Sequence, residues 1–83
     1  MQSPPGFRIR AVAVEAGVAR IYNEAEWRDA LVLVACGELE LESVGGDSFL
    51  FGRGSVLSLA DLPLRALHSR GSEPAVLVAV SRR

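Results

Sequence analysis

Apolar and polar residues alternate along most of this chain. From Glu38 to Val44 the order is Glu-Leu-Glu-Leu-Glu-Ser-Val, followed by Gly45-Gly46 and then Asp-Ser-Phe-Leu-Phe. A period of two sends successive side chains to opposite faces, so this stretch predicts a β-hairpin. Leu39 and Leu41 fall on its buried face, and Glu38, Glu40 and Glu42 on the solvated one. Gly45 and Gly46 can both adopt positive φ, as a type I′ turn demands. The same pattern, punctuated by Gly, Pro, Asp and Asn, predicts strands near residues 7–14, 18–22, 30–35, 38–44, 47–51, 55–60, 65–69 and 75–80, with little helix. Arg70-Gly71-Ser72-Glu73, ahead of Pro74, reads as the turn of a second hairpin. So many short strands predict a compact all-β barrel or sandwich over residues 7–83, with residues 1–6 as a loosely attached arm.

Two segments, Ala30 to Ala35 and Ala75 to Val80, are apolar on both faces. An antiparallel sheet normally wets one face, so these strands predict an outer surface that is also covered. A homodimer packed through their outward side chains would cover it, and so would the segment Phe7 to Val14 folded back over the same surface.

Composition narrows the setting. Nine basic against ten acidic residues give a net charge of −1, which removes the general attraction that nucleic acid or anionic lipid would need. The longest apolar run, Ala30 to Cys36, is too short to span a bilayer. A single cysteine, Cys36, excludes an internal disulfide and fits a cytoplasmic protein. At the end of an apolar strand, with no His or Lys beside it, Cys36 reads as an inert small hydrophobe.

From Ala30 onward the order of signals resembles the cupin family. It runs from an apolar strand to Gly37 with alternating Glu and Leu, then a glycine turn, then Phe51-Gly52-Arg53-Gly54-Ser55-Val56-Leu57, and ends with Gly71-Ser72-Glu73-Pro74 before an apolar strand. The resemblance covers roughly residues 17–80. It implies an all-β fold of the cupin-like double-stranded β-helix or jelly-roll barrel type. The family's first motif reads G-x5-H-x-H-x(3,4)-E-x6-G. Aligned on Gly37, it places Glu24 and Glu26 at the histidine positions and Ala30 at the ligand glutamate, with Gly17 one residue off its place. The second motif, begun at Gly54, places Arg65 at the last ligand histidine; a rival register through Pro63 puts His68 there.

A cationic Arg65 and a divalent metal compete for the same space, so the resemblance implies a metal-free site with no cofactor. One reading pairs Arg65 with Glu24 or Glu26 around a pocket for a small polar or carboxylate-bearing molecule; the other leaves all three on the surface. Trp27 and Tyr22 flank the acidic segment and can either stack on a ligand or cap the core. His68, the only histidine, completes the candidate set of Glu24, Glu26, Trp27, Arg65, Tyr22 and His68. Binding is the leading expectation. The alternatives are a metal-independent isomerase or epimerase, an oxygen-ligand metalloenzyme using Glu24, Glu26 and His68, and a structural or regulatory dimer module with a filled barrel.

Overall fold

The computed structural model describes residues 6–82, so all of the expected arm except Gly6 lies outside the described residues. Eight strands and one short helix follow one another: β1 (Phe7–Val14), β2 (Arg20–Ile21), α1 (Glu24–Trp27), β3 (Ala30–Cys36), β4 (Leu39–Ser43), β5 (Ser48–Phe51), β6 (Val56–Ser58), β7 (Leu64–Ser69) and β8 (Ala75–Arg82). They form two four-stranded antiparallel sheets of order β1-β8-β3-β6 and β2-β7-β4-β5. The pairing is nested. β4 pairs with β5, β3 with β6, β2 with β7 and β1 with β8. A chain that doubles back on itself in this way, with its strands divided between two sheets, is a jelly roll.

The core lies between the sheets, where strand alternation delivers one apolar set from each. Val12 and Val14, Val32 and Val34, and Leu77 and Ala79 point inward from the first sheet; Leu39, Leu41 and Leu67 point inward from the second. Trp27 and Leu59 fill the remaining interior and are fully buried.

Several expectations are corrected. The β4–β5 hairpin forms with Leu41 opposite Phe49, but its turn is not type I′, because only Gly46 takes positive φ, at 93°. Gly46 N–H donates to Ser43 O, and Asp47 N–H donates to the Ser43 hydroxyl, which lets the loop close through Ser43 instead. The second hairpin does not exist. β7 belongs to one sheet and β8 to the other, so Arg70 to Pro74 is an arch between sheets. A turn sequence marks where the chain reverses, and says nothing about whether the two strands then share a ladder. Asn23 to Asp29, between two of the expected strands, contains α1, capped by Asn23 Oδ1 accepting from Ala25 N–H at 3.1 Å. Cys36 is exposed, because the β3 ladder to β8 shifts register between Val34 and Cys36. Phe7 to Val14 does not fold over the first sheet; as β1 it joins that sheet and widens it.

Candidate functional site

The charged residues singled out from the sequence do not converge. Glu24 accepts from Arg28, one helical turn later, at 2.7 Å on an exposed surface. That hydrogen bond, and then the guanidinium charge, hold the Glu24 carboxyl below its usual range. Glu26 takes a different pair: its carboxylate lies 2.6 Å from Arg20 and 3.3 Å from Arg10, and its backbone carbonyl also accepts from Arg10. Arg10 reaches it because position 10 points inward with Val12 and Val14, which also carries its guanidinium over the Trp27 ring, 5.0 Å from the centroid. Trp27 is therefore a core residue capped by a cation. Its buried indole N–H has no hydrogen-bond partner among the described residues, nor does Arg20 Nε.

Arg65 meets neither glutamate. The β4–β7 ladder shifts register where Ser43 pairs with Leu64 and Glu42 with Ala66. This bulge turns Arg65 to the surface, where its Nη2 donates to Val44 O at 3.1 Å. His68 lies opposite Glu40 on the outer face and its Nε2 sits 2.9 Å from Glu42. Tyr22 packs half-buried on the core and donates to Leu59 O at 3.2 Å; burial, reinforced by the charges of Glu24 and Asp61, raises its phenol pKa.

The positions that the cupin resemblance assigns to a metal do not suit one. Glu24 and Glu26 are both neutralised by arginines, Ala30 has no donor, and Arg65 is a permanent cation. The set Glu24, Glu26 and His68 is likewise not assembled. Among the described residues no group of three or more His, Cys, Asp or Glu side chains is placed to hold a metal ion.

What the fold does assemble is an apolar cavity of about 470 Å³ at the open edge between the sheets. Leu41, Phe49 and Phe51 line it from the inner face of the β4–β5 hairpin, joined by Leu64 at the start of β7, and Leu62 and Pro63 close it from the segment before β7. It exists because β6, on the facing sheet, is three residues long and leaves the inner face of β5 uncovered. The turn residues Val44 and Asp47 line the mouth, and the buried Ser43 lies beside them. The two walls are tied together, since Val44 N–H donates to Pro63 O at 2.8 Å while Arg65 holds Val44 O. Arg65 thus braces the cavity from behind.

Sequence reasoning missed this site because it followed charge. The signal was present in Phe49 and Phe51, two aromatics on one face of a strand, of which Phe51 packs on the core and Phe49 stays half-exposed.

No protein-family model matches the chain, and no curated protein matches it in sequence. Among solved structures, the protein NMB1881 from Neisseria meningitidis is similar in fold, with 13% identity and a TM-score of 0.69 over 99% of this chain and 79% of that one. The Thermus thermophilus catabolite activator protein aligns with 25% identity over 88% of this chain and 37% of its own, at a TM-score of 0.44, too low to establish a common fold. No helix among the described residues is long and apolar enough to cross a membrane. The chain is a small all-β domain that shares its fold with the Neisseria protein.

Proposed function

We propose that this chain is a small cupin-like domain that works without a metal and binds a small, mainly apolar molecule at the open edge of its jelly roll. The observation that carries the reading is the cavity of about 470 Å³ walled by Leu41, Phe49, Phe51, Leu62 and Leu64. Ligand sites of this kind are usually concavities of about 300–1,000 Å³ with apolar walls and a few polar groups that fix orientation. The polar groups here are Ser43 and Asp47, so the ligand carries at most one or two polar atoms, and these sit at the mouth. No cation among the described residues lines the cavity, which favours a neutral or donor-bearing molecule over the carboxylate expected from the sequence.

A second reading has its own observation. Arg8, Arg10, Arg28 and Arg82 outnumber Glu26 and Asp29 around a polar hollow of about 390 Å³, a setting for an anion. It is the weaker of the two, because Glu26 already engages Arg10 and Glu24 already engages Arg28. Thermal-shift titrations with decanol, decylamine and decanoate separate them. The apolar-edge reading expects saturable stabilisation by decanol and decylamine, lost in Phe49→Asp. Stabilisation by decanoate alone, lost in Arg8→Gln, selects the arginine hollow instead.

A further inference from the structure

The outer faces of the two sheets differ in kind. On the β2-β7-β4-β5 sheet the outward positions include Glu40, Glu42 and His68, with Arg70 reaching across to Glu40. That face is wet. On the other sheet, alternation from the buried Val12, Val32, Leu77 and Ala79 leaves outward Ile9, Val80 and Leu31 as one cross-strand row that ends at Ser58 on the edge strand β6. Ala11, Val78, Leu33 and Val56 make the next. No charged residue lies in either row, and Leu31, Leu33 and Val56 are 58%, 38% and 62% exposed. A half-solvated antiparallel sheet would place charged side chains along these rows, as the opposite sheet does.

We infer that this face is the interface of an isologous homodimer, with the β1-β8-β3-β6 sheet of one protomer packed against the same sheet of its partner. The inference is independent of the ligand reading, which concerns the far edge of the other sheet. Three observations select a second copy as the occupant. β1 enlarges the apolar face, so no described segment of the chain covers it. Strands β1, β8 and β3, of seven or eight residues, and the three-residue β6, spaced about 4.8 Å apart, give roughly 410 Å² of projected face per protomer. Two such faces give about 820 Å² in projection, and the relief of their side chains brings this toward the ~1,000 Å² of total buried surface expected of a biological interface. Finally, the charges at the rim are self-complementary. Arg82 on β8 and Asp29, just before β3, line one hollow at the same end of the face, together with Phe7, Leu31 and Val80. A two-fold axis running along the strands between β8 and β3 places Arg82 over the partner's Asp29, and repeats the pair by symmetry. Aligned sheet packing, with strand directions within about 30°, accommodates that axis.

Sedimentation equilibrium on the full chain at micromolar concentration tests this. The wild type is expected to be a dimer, and Leu31→Glu and Leu33→Glu, made separately, to be monomers with unchanged circular dichroism. A second measurement does not depend on how those variants fold. In a double-mutant cycle of Arg82→Gln and Asp29→Asn, each single change is expected to raise the dimer dissociation constant about two- to ten-fold, with the double no weaker than the weaker single. Asn is used at position 29 because its φ is 58°, a conformation Asn tolerates. A monomeric wild type overturns the inference, whether it stays free or binds lipid vesicles or another protein through this face. A dimer broken by Phe49→Asp but not by Leu33→Glu overturns it as well, and additive effects in the cycle overturn the axis.

Discussion

Phe49 stands directly opposite Leu41 across the β4–β5 ladder, yet Leu41 is 1% exposed and Phe49 is 51% exposed. The two side chains share the inner face of one sheet; what differs is whether the other sheet covers them. Stability and binding should therefore separate at this pair. Leu41→Ala removes a fully packed side chain and is expected to cost about 2–5 kcal/mol. Phe49→Ala removes one that is half in water, and is expected to cost about 1 kcal/mol or less while abolishing stabilisation by decanol. Equal losses of stability at the two positions would show that the cavity is closed in solution.

Arg65 bears on the same cavity from behind, through Val44 O. Loss of that hydrogen bond in Arg65→Ala is expected to cost about 0.5–1.5 kcal/mol. It should also weaken decanol and decylamine by the same few-fold factor, since the side chain positions the wall and does not meet the ligand. A selective loss of decanoate binding would restore Arg65 to the role of an anion-recognising residue.

Glu26 is the counter-charge to two arginines, one of which lies on Trp27. In Glu26→Ala the guanidinium groups of Arg10 and Arg20 face each other with no anion between them. All three side chains are partly solvated, so the expected loss is about 1 kcal/mol, well short of that for a buried pair. Intrinsic Trp27 fluorescence, at present shielded by full burial, should shift to the red. Glu24→Gln, which breaks only the exposed pair to Arg28, should leave both readouts unchanged.

Gly37 has φ +76°, and a Cβ there would lie 2.9 Å from Pro74 O and 3.0 Å from Ala75 Cα. Both neighbours are backbone atoms, one of them the first residue of β8, and cannot move aside without disturbing the central strand. Gly37→Ala is expected to cost about 2–4 kcal/mol, or roughly 10 °C or more in Tm. Gly46 has φ +93° but open space around the missing Cβ, so Gly46→Ala should cost only about 1 kcal/mol.

The Glu40 carboxyl is held below its usual value of 4.5, mainly by the hydrogen bond from Arg70, with help from Ser48 and the charges of Arg70 and His68. A depressed carboxyl pKa contributes stability that is fully present above the unfolded value and lost as pH falls through the folded one. Wild type is therefore expected to melt above Glu40→Gln at neutral pH, with the gap closing as pH falls below 4.5. A gap that grows in acid would contradict the pairing with Arg70.

Local signals were legible and long-range ones were not. Leu39 and Leu41 alternate with glutamates beside Gly45-Gly46, and this hairpin is the one ladder in the nested roll that joins consecutive strands. The pairing of β1 with β8, or of β3 with β6, leaves no mark in a single chain's alternation, so the arch at Arg70 to Pro74 looks the same as a hairpin. The two-sided apolar character of β3 and β8 was read directly, and they prove to be the central strands of one sheet. For the site, spacing placed Glu24 and Glu26 side by side without showing that a four-residue helix points them to different arginines. It could not show the β7 bulge that turns Arg65 outward. Nor could it show that β6 stops too early to cover Phe49.

The apolar ligand edge is tested most directly by mapping methyl and aromatic chemical shifts of the labelled protein during a decanol titration. The expected result is saturable shifts at Leu41, Phe49, Phe51, Leu62 and Leu64, with Leu31, Leu33 and Val78 unmoved. Shifts confined to Leu31, Leu33 and Val78, or no saturable shift at all, would contradict a binding function at this edge of the jelly roll.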